Sequence, residues 1–315
     1  MVIQGSTNKA LVDVTDPTQP KVLCTITGTW SPQLVTQRMI SWSATQGGSS
    51  YLVTRDLFAG VSLTMATWQG GQFLDGIHTW SSDESSIAYV TSDSTAVNLH
   101  VLSGGGDRVI TQFAAVPGRG VNGDEDSAYL GFSADGTYLA FVQTFAGNGA
   151  QLQVRRTKDG TLAYSQPTGT MAAWASSGSS LYFREPAQTT VHVWTPTGGV
   201  TQLFALQQAW IRPTADAGDD YIAYTVRDAK GLPHAWLYGH GGRAGGELGN
   251  VRSSVAFLGA SAVFLVEEVS CGTNCGPGPP TQPDGKTFVY DLGSQKETPS
   301  SIQDVLGTWP RIGQT

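Results

Sequence analysis

Residues Gly131–Val142 read GFSADGTYLAFV, which is a short apolar segment ending in a bulky residue, then an Asp-Gly turn, then an apolar strand. Asp-Gly suits a tight turn because glycine adopts positive φ without steric penalty. Similar stretches recur along the chain at intervals of about 40 to 50 residues. We align them on the bulky position, which is occupied in turn by Trp42, Trp80, Phe132, Trp174, Pro213, Phe257 and Trp309. The stretch is therefore a repeat unit.

The unit predicts the fold. After GFSADGTYLAFV come two more strand-like runs, AQLQVRR and TLAYSQ, so one unit holds four strands, as a propeller blade does. Six units are complete, and the chain begins with the outer-type strands MVIQG, KALVDVTD and KVLCTITG and ends with the inner-type strand TWPRI. We predict an all-β, seven-bladed β-propeller of four-stranded antiparallel blades, a single domain over residues 1–315. Pairing of the N- and C-terminal strands would close it and remove the free sheet edges.

The copies WSSDESSIAY, FSADGTYLAF and WASSGSSLYF resemble the repeat of TolB-like propellers, which is similar to that of prolyl-oligopeptidase-type peptidases. Two copies depart from the pattern, because Pro213 replaces the aromatic residue and FLGASAVFL lacks the Asp-Gly turn. The resemblance covers nearly the whole chain and implies the fold. It leaves the role open, since such proteins include binding platforms, peptidase gates, lyases and sensor ectodomains. A serine peptidase is not expected, because the chain has no G-x-S-x-G motif.

Composition narrows the classes of partner. The net charge is −7 and basic residues form no long runs, so nucleic acid is not expected as a partner. No run of 18 apolar residues is present, so we predict no transmembrane segment in this chain.

Two of the three cysteines, Cys271 and Cys275, lie in the Gly/Pro-rich stretch SCGTNCGPGPP. This C-x3-C spacing favours a tight disulfide over half of a metal site, because no second Cys or His pair accompanies it. A disulfide would indicate an oxidising compartment. We therefore expect an extracellular, periplasmic or cell-surface location.

Charged pairs lie at the ends of four predicted strands. The alignment on the bulky position assigns each of these as the second strand of its blade. The pairs are Arg55-Asp56, Arg184-Glu185, Arg227-Asp228 and Glu267-Glu268. Equivalent positions in successive blades form a ring around the axis, on the face that carries the longer connections. Two interpretations stay open, namely a solvated rim of mutually offsetting charges and a polar rim that binds a partner.

Residues just before the aligned bulky positions are expected at the mouth of the central channel. They are Arg38, His78, Trp210 and Arg212. Arginines there would favour an anionic group, since the guanidinium binds carboxylate or phosphate with two hydrogen bonds. His78 is either a hydrogen-bonded structural residue or a base without a predicted carboxylate partner. We assign no catalytic residue.

Two connections on the same face are long. Residues 119–129, RGVNGDEDSAY, bring together Asp124, Glu125 and Asp126, which are either calcium ligands or ordinary solvated charge. Residues 267–286 form an insertion of the length that is usually functional or disordered. Calcium is the only cofactor that the sequence suggests.

Three functions are compatible with these features. We favour a non-catalytic, monomeric binding module, exported or at the cell surface, whose loop face binds a protein or cell-envelope component. One alternative is a propeller-type lyase or hydrolase acting on a carbohydrate or lactone at the channel mouth. The other is the sensor ectodomain of a membrane-anchored protein.

Overall fold

A computed structural model describes most of the chain, and every element in the described part is a β-strand. The described residues are 2–4, 9–16, 19–27, 32–69, 73–93, 95–114, 129–145, 149–167, 171–175, 177–184, 190–205, 214–215, 221–239, 243–258, 261–270, 281–302 and 305–308.

The strands form seven antiparallel sheets of four strands, so the predicted blade architecture is confirmed. Blade 1 consists of β4 (Gln33–Leu34), β5 (Met39–Gln46), β6 (Ser49–Asp56) and β7 (Ser62–Gln69). Blade 2 consists of β8 (Phe73–Trp80), β9 (Ser86–Ser92), β10 (Ala96–Ser103) and β11 (Gly106–Ala114). Blade 3 consists of β12 (Tyr129–Phe132), β13 (Tyr138–Phe145), β14 (Gly149–Arg156) and β15 (Leu162–Pro167).

The remaining blades follow the same order from the inner to the outer strand. Blade 4 consists of β16 (Met171–Trp174), β17 (Leu181–Arg184), β18 (Thr190–Thr195) and β19 (Gly199–Ala205). Blade 5 consists of β20 (Thr214–Ala215), β21 (Tyr221–Arg227), β22 (Pro233–Gly239) and β23 (Gly246–Asn250). Blade 6 consists of β24 (Arg252–Leu258), β25 (Ala262–Ser270), β26 (Thr281–Asp291) and β27 (Lys296–Ser300).

Blade 7 joins the two ends of the chain, as predicted. Its strands, in spatial order, are β28 (Val305–Thr308), β1 (Val2–Gln4), β2 (Lys9–Asp13) and β3 (Lys21–Ile26). β1 pairs antiparallel with β28, with Val2 opposite Thr308 and Ile3 opposite Gly307. The inner strand is VLGT, so it begins before the predicted TWPRI, and residues 309–315 lie outside the described part of the chain.

Neighbouring blades are in contact all the way around the molecule, mostly through their inner strands. β8 contacts β12, and the series continues through β16, β20, β24 and β28 back to β4. Blades 1 and 2 meet where β5 contacts β8. The seven sheets therefore form a closed ring.

Each interface between blades buries its own apolar core. Between blades 3 and 4, the buried side chains of Val142, Val154, Trp174 and Phe183 pack together. The Trp174 indole N–H also donates to the Gly131 carbonyl at 2.7 Å. A side chain at Gly131 would clash with Tyr129 and Trp174, so glycine is required for this close approach. The energy of folding is thus spread over seven interfaces.

The Ser-x-Asp motif in the best copies of the unit forms the turn between the first and second strands. In blade 3 the Ser133 hydroxyl donates to Asp135 at 2.6 Å and accepts the Tyr138 N–H at 2.9 Å. Gly136 completes the turn with a φ of 69°. In blade 2, Ser81 and Asp83 make the same contacts. The hydrogen bond from the Ser81 hydroxyl, ahead of that from the Ser85 N–H, holds the pKa of Asp83 below its ordinary value.

One sequence alignment was wrong. Trp42 lies within β5, the second strand of blade 1, whereas the other described bulky residues of the alignment lie in first strands. The Val35 N–H bonds the Met39 carbonyl just as the Ser133 N–H bonds the Tyr138 carbonyl. Leu34 is therefore the true equivalent of Phe132. The stretch around Trp42 misled the alignment because the Gly47-Gly48 hairpin joining β5 and β6 resembles an Asp-Gly turn in sequence.

Candidate functional site

The propeller has two faces, and the antiparallel order decides which residues each face carries. Turns between first and second strands, and between third and fourth strands, lie on one face, which we call the turn face. Hairpins between second and third strands, and connections between blades, lie on the other, which we call the connection face. Arg184, Arg227 and the pair Glu267-Glu268 occur at or near the ends of second strands, at the connection face, as predicted.

Arg38 and Arg55 lie on the turn face instead, which corrects their predicted position. Arg55 is near the end of β6, which is a third strand, and Arg38 is in the turn between β4 and β5. Both errors in position arise because Trp42, a second-strand residue, was aligned with residues of first strands. The Leu57 N–H bonds the Arg38 carbonyl at 2.8 Å, which holds the two turns together.

The charged groups of Arg38 and Arg55 are used locally. Arg38 forms an ion pair with Asp56 at 2.5 Å, with more than half of the arginine side chain exposed. The N–H of Ala59, followed by the Arg38 guanidinium, lowers the pKa of Asp56. Arg55 reaches the Thr27 carbonyl of blade 7 at 3.4 Å, a long contact. Exposed pairs of this kind stabilise little.

His78 is buried between blades 1 and 2. Its predicted position at the mouth of the central channel is therefore wrong. His78 lies in β8 and is 2% exposed, and its Nε2 is 2.8 Å from the Ser41 hydroxyl oxygen of β5. The same oxygen accepts the Trp80 indole N–H at 3.0 Å. A Ser-His pair without solvent access joins two blades and is poorly placed to transfer protons to a ligand.

Arg227 and Glu268 form a buried ion pair between blades 5 and 6. The guanidinium Nη2 lies 3.0 and 2.8 Å from the two carboxylate oxygens, and Nη1 donates to the Gly231 carbonyl at 2.9 Å. The Ser253 hydroxyl also donates to Glu268. Two charges are tolerated here because each is paired and hydrogen-bonded. Two of the charged residues predicted to form a ring, Arg227 and Glu268, are thus paired across the interface between blades 5 and 6.

Glu267 belongs to a second cluster on the same hairpin. Its carboxylate accepts from Arg252 at 2.5 Å and from Lys286 at 2.8 Å. The Arg252 guanidinium lies 3.9 Å from the centre of the Phe288 ring, a cation–π contact, and is 3.3 Å from Glu297. Together with the Arg227–Glu268 pair, these residues form what we call the blade 6 ion cluster.

Several polar groups could not be predicted from the sequence. Ser41, Ser253 and Arg252 belong to no motif, and their contacts could be recognised only once their partners in other strands were known. A further buried cluster lies in blade 2, where His100 is 2.9 Å from the Thr91 hydroxyl and 3.2 Å from the Asp107 carboxylate. Burial lowers the pKa of His100, and Asp107 opposes this shift only in part.

Other predicted residues lie outside the described part of the chain. They are Trp210, Arg212, Asp124, Glu125, Asp126, Cys271 and Cys275, together with the side chain of Arg184. Their predicted roles stay predictions. Among the residues that the structure does describe, Cys24 is a free, half-buried thiol, and burial raises its pKa.

Neither a metal site nor a membrane-spanning helix occurs among the described residues. No three His, Cys, Asp or Glu side chains in them converge on a point where a metal ion would fit. None of the described segments forms a helix of the length and apolarity that a membrane crossing requires.

The ring of seven four-stranded blades defines a seven-bladed β-propeller. No protein-family model matches the chain, and no curated protein matches it by sequence. Solved structures do match. TolB from Acinetobacter baumannii is 15% identical with a TM-score of 0.50, over 78% of this chain and 62% of that one. This chain thus spans less than two thirds of the TolB structure.

Two enzymes share the fold to a similar degree. Oligogalacturonate lyase from Vibrio parahaemolyticus is 11% identical with a TM-score of 0.57, over 95% of this chain and 85% of that one. Dipeptidyl peptidase 4 from Porphyromonas gingivalis is 11% identical with a TM-score of 0.55, over 95% and 49%. At such identities the likeness shows the fold alone.

Proposed function

We propose that this propeller is a non-catalytic binding module that recognises a protein or cell-envelope ligand through its connection face. The observation that carries the proposal is the blade 6 ion cluster at the base of the long hairpin of β25 and β26. Glu267 and Glu268 on one strand and Lys286 on the other are each held by a charged partner. A loop with a fixed base loses less entropy when its tip binds a partner.

The hairpin reaches well past the inner strand of its blade. Its last described pair is Ser270 opposite Thr281, whereas the inner strand β24 begins at Arg252, opposite Glu267. Residues 271–280 at the tip are rich in Gly and Pro, with Cys271 and Cys275 among them. A disulfide between these cysteines belongs to the proposal, because it would stiffen the tip further.

The buried ionisable groups favour binding over catalysis. In the described part of the chain, His78 is engaged by Ser41, and Glu268 is engaged by Arg227 and Ser253. A general acid or base needs access to a substrate proton. These groups instead hold blades together.

An exported location and a monomeric state complete the proposal. The location is supported by the C-x3-C pair, which suits an oxidising compartment. Calcium bound by Asp124, Glu125 and Asp126 is a proposal of the same kind, supported by the three adjacent carboxylates. Calorimetric titration of the metal-free chain with calcium, compared with an Asp124→Asn and Asp126→Asn double variant, tests this part.

The test of the main proposal shortens the hairpin. Because Ser270 and Thr281 are directly paired, residues 271–280 can be exchanged for Asn-Gly, which closes a two-residue turn. The immobilised full chain and this variant are incubated with a cell-envelope fraction and cross-linked. We expect components that the wild-type chain captures to be lost with the shortened hairpin.

The matched control changes the opposite end of the same blade. Ser294→Ala with Gln295→Gly alters the exposed turn between β26 and β27, where the Gln295 φ of 57° suits glycine. This control should capture the same components as the wild-type chain. Equal capture by the shortened hairpin, or no capture by the wild-type chain at micromolar concentration, would contradict the proposal.

A further inference from the structure

An open groove lies at the outer rim between blades 3 and 4, on the turn face, away from the connection face. Its volume is about 430 Å³, within the range of ligand sites. One wall is β15 and the end of β14, and the other is the turn joining β18 to β19. No residue of this groove belongs to the site proposed above.

The groove has a cationic end. Arg156 is exposed there, and no ion pair or side-chain hydrogen bond reaches its guanidinium from the described residues. Asp159 supplies one negative charge in the adjoining turn: hydrogen bonds from Thr161, and then the charges of Arg156 and Arg108, lower the pKa of its carboxyl. Lys158 follows in the same turn, so the groove ends in positive charge on a chain whose net charge is −7. Such a site favours an anionic group.

The rest of the groove is apolar. Leu162 and Val200 both line it and are 47% and 40% exposed. Trp194 and Tyr138 form the floor, and Tyr164 is stacked with Trp194 at 6.0 Å between ring centres. Two exposed apolar side chains beside an aromatic floor suit contact with an apolar side chain of a ligand.

The wall formed by β15 is also a free sheet edge. β15 is the outermost strand of blade 3, so half of its backbone N–H and C=O groups point away from the sheet. Its sequence, LAYSQP, has no charged residue, whereas the corresponding strand of blade 6, KETPS, carries two that discourage pairing. The Gln166 side-chain nitrogen on this strand is buried and has no hydrogen-bond partner in the described residues.

We propose that this groove binds an extended acidic peptide that adds to the edge of β15. A bulky apolar side chain of the peptide lies between Leu162 and Val200, and a carboxylate near it pairs with Arg156. Backbone hydrogen bonds supply affinity and the two side-chain contacts supply selectivity, as in other strand-addition complexes. The inference does not depend on the function proposed for the connection face.

Fluorescence polarisation with a synthetic probe tests the groove. The probe is a fluorescein-labelled peptide, Thr-Glu-Thr-Phe-Thr-Thr, which places Glu and Phe on the same side of an extended chain. We expect saturable binding to the full chain below about 1 mM. Arg156→Gln should weaken binding at least about tenfold, because it removes a charge-assisted contact. Leu162→Ser should weaken it as well.

Two exposed residues elsewhere provide matched controls. Leu63→Ser changes another exposed leucine, on the outer strand of blade 1, and Lys296→Gln removes one positive charge from the turn face of blade 6. Both should bind the probe within about twofold of the wild-type chain. A probe with Gln in place of Glu should lose as much affinity as Arg156→Gln does.

Three outcomes would overturn the inference. They are the absence of saturable probe binding, equal weakening by the two control variants, and competition by free glutarate as effective as that by unlabelled peptide. The last result would assign the groove to small carboxylates. Thermal unfolding of each variant verifies that a loss of binding is not a loss of folding.

Discussion

At the residue scale, two side-chain devices, meaning hydrogen-bond arrangements that recur from blade to blade, stabilise the repeat. One is the serine that joins an aspartate and the next strand in the first turn, as Ser81 and Ser133 do. The other is the tryptophan that donates its indole N–H to the preceding blade, as Trp80 and Trp174 do. The first device is local and was readable in the sequence. The second needs a neighbour about 40 residues away.

Replacement of Trp174 tests how much this tryptophan contributes to the unfolding free energy. Trp174→Ala should cost about 3 to 5 kcal/mol of unfolding free energy, because it empties a buried aromatic site. Trp174→Phe, which mainly removes the hydrogen bond to Gly131, should cost about 1 to 2 kcal/mol. Trp42→Ala should cost less than Trp174→Ala, because Trp42 is only half-buried and lies in a second strand. Urea unfolding decides, and a loss under about 1 kcal/mol for Trp174→Ala would contradict the packing.

His100 makes stability depend on pH. Burial depresses its pKa in the folded protein, so the unfolded chain binds a proton at higher pH than the folded protein does. The stabilisation is complete above about pH 6.5 and is lost as the pH falls below that value. Between pH 7.5 and 5.5 the wild-type chain should therefore lose more unfolding free energy than His100→Gln does.

Asp107 provides the control for this pH dependence. Its carboxylate raises the pKa of His100 against the effect of burial, so Asp107→Asn should lower that pKa further. The acid loss of stability in Asp107→Asn should then be at least as steep as in the wild-type chain. Identical slopes in all three proteins would show that His100 does not set the pH dependence.

At the scale of the elements, blades 5 and 6 are joined by an ion pair as well as by an apolar core. The Arg227–Glu268 pair links β21 to β25 within an otherwise apolar contact. Buried pairs are weak evidence for stability, because two charges lose their hydration. Their removal one at a time is nevertheless costly, since the remaining charge stays buried.

A double-mutant cycle separates these effects. Arg227→Met and Glu268→Leu should each cost about 3 to 5 kcal/mol, whereas the double variant should be much closer to the wild-type chain. The exposed pair Arg38–Asp56 is the control, and Arg38→Met with Asp56→Leu should show a coupling below about 1 kcal/mol. Additive losses at Arg227 and Glu268 would mean that the two charges are not coupled.

At the scale of the whole molecule, the ring is closed by a single strand. β28 pairs with β1 and also contacts β24 and β4 on either side. An open ring would expose the edge of β1 and the faces of two blades. Closure therefore couples the stability of the two chain ends.

Truncation tests this coupling. Removing residues 305–315 deletes β28 and should cost at least about 3 kcal/mol, since the hydrogen bonds of its three residue pairs with β1 are lost. Removing only residues 310–315 keeps both β28 and the aligned bulky residue Trp309, so less of this stability should be lost. Urea unfolding followed by tryptophan fluorescence compares the two, and equal midpoints would contradict closure by β28.

The amino-acid sequence alone predicts the all-β class, the seven units and the pairing of the chain ends. It could do so because turn chemistry and strand alternation are local, and GFSADGTYLAFV carries both within twelve residues. It also placed Arg227, Glu267 and Glu268 at the correct face. Arg38 and Arg55 were assigned to the wrong face. The Gly-Gly hairpin of blade 1 joins its second and third strands, but in sequence it resembles the turn that joins the first and second strands of other blades.

The contacts between side chains of different blades could be found only from the folded protein. His78 and Ser41 are 37 residues apart, and Arg227 and Glu268 are 41 apart. Such partners belong to different blades, so their distance is set by the register of each sheet and by closure of the ring. The rim groove likewise depends on how blades 3 and 4 lie side by side, and no pattern along one strand encodes that arrangement.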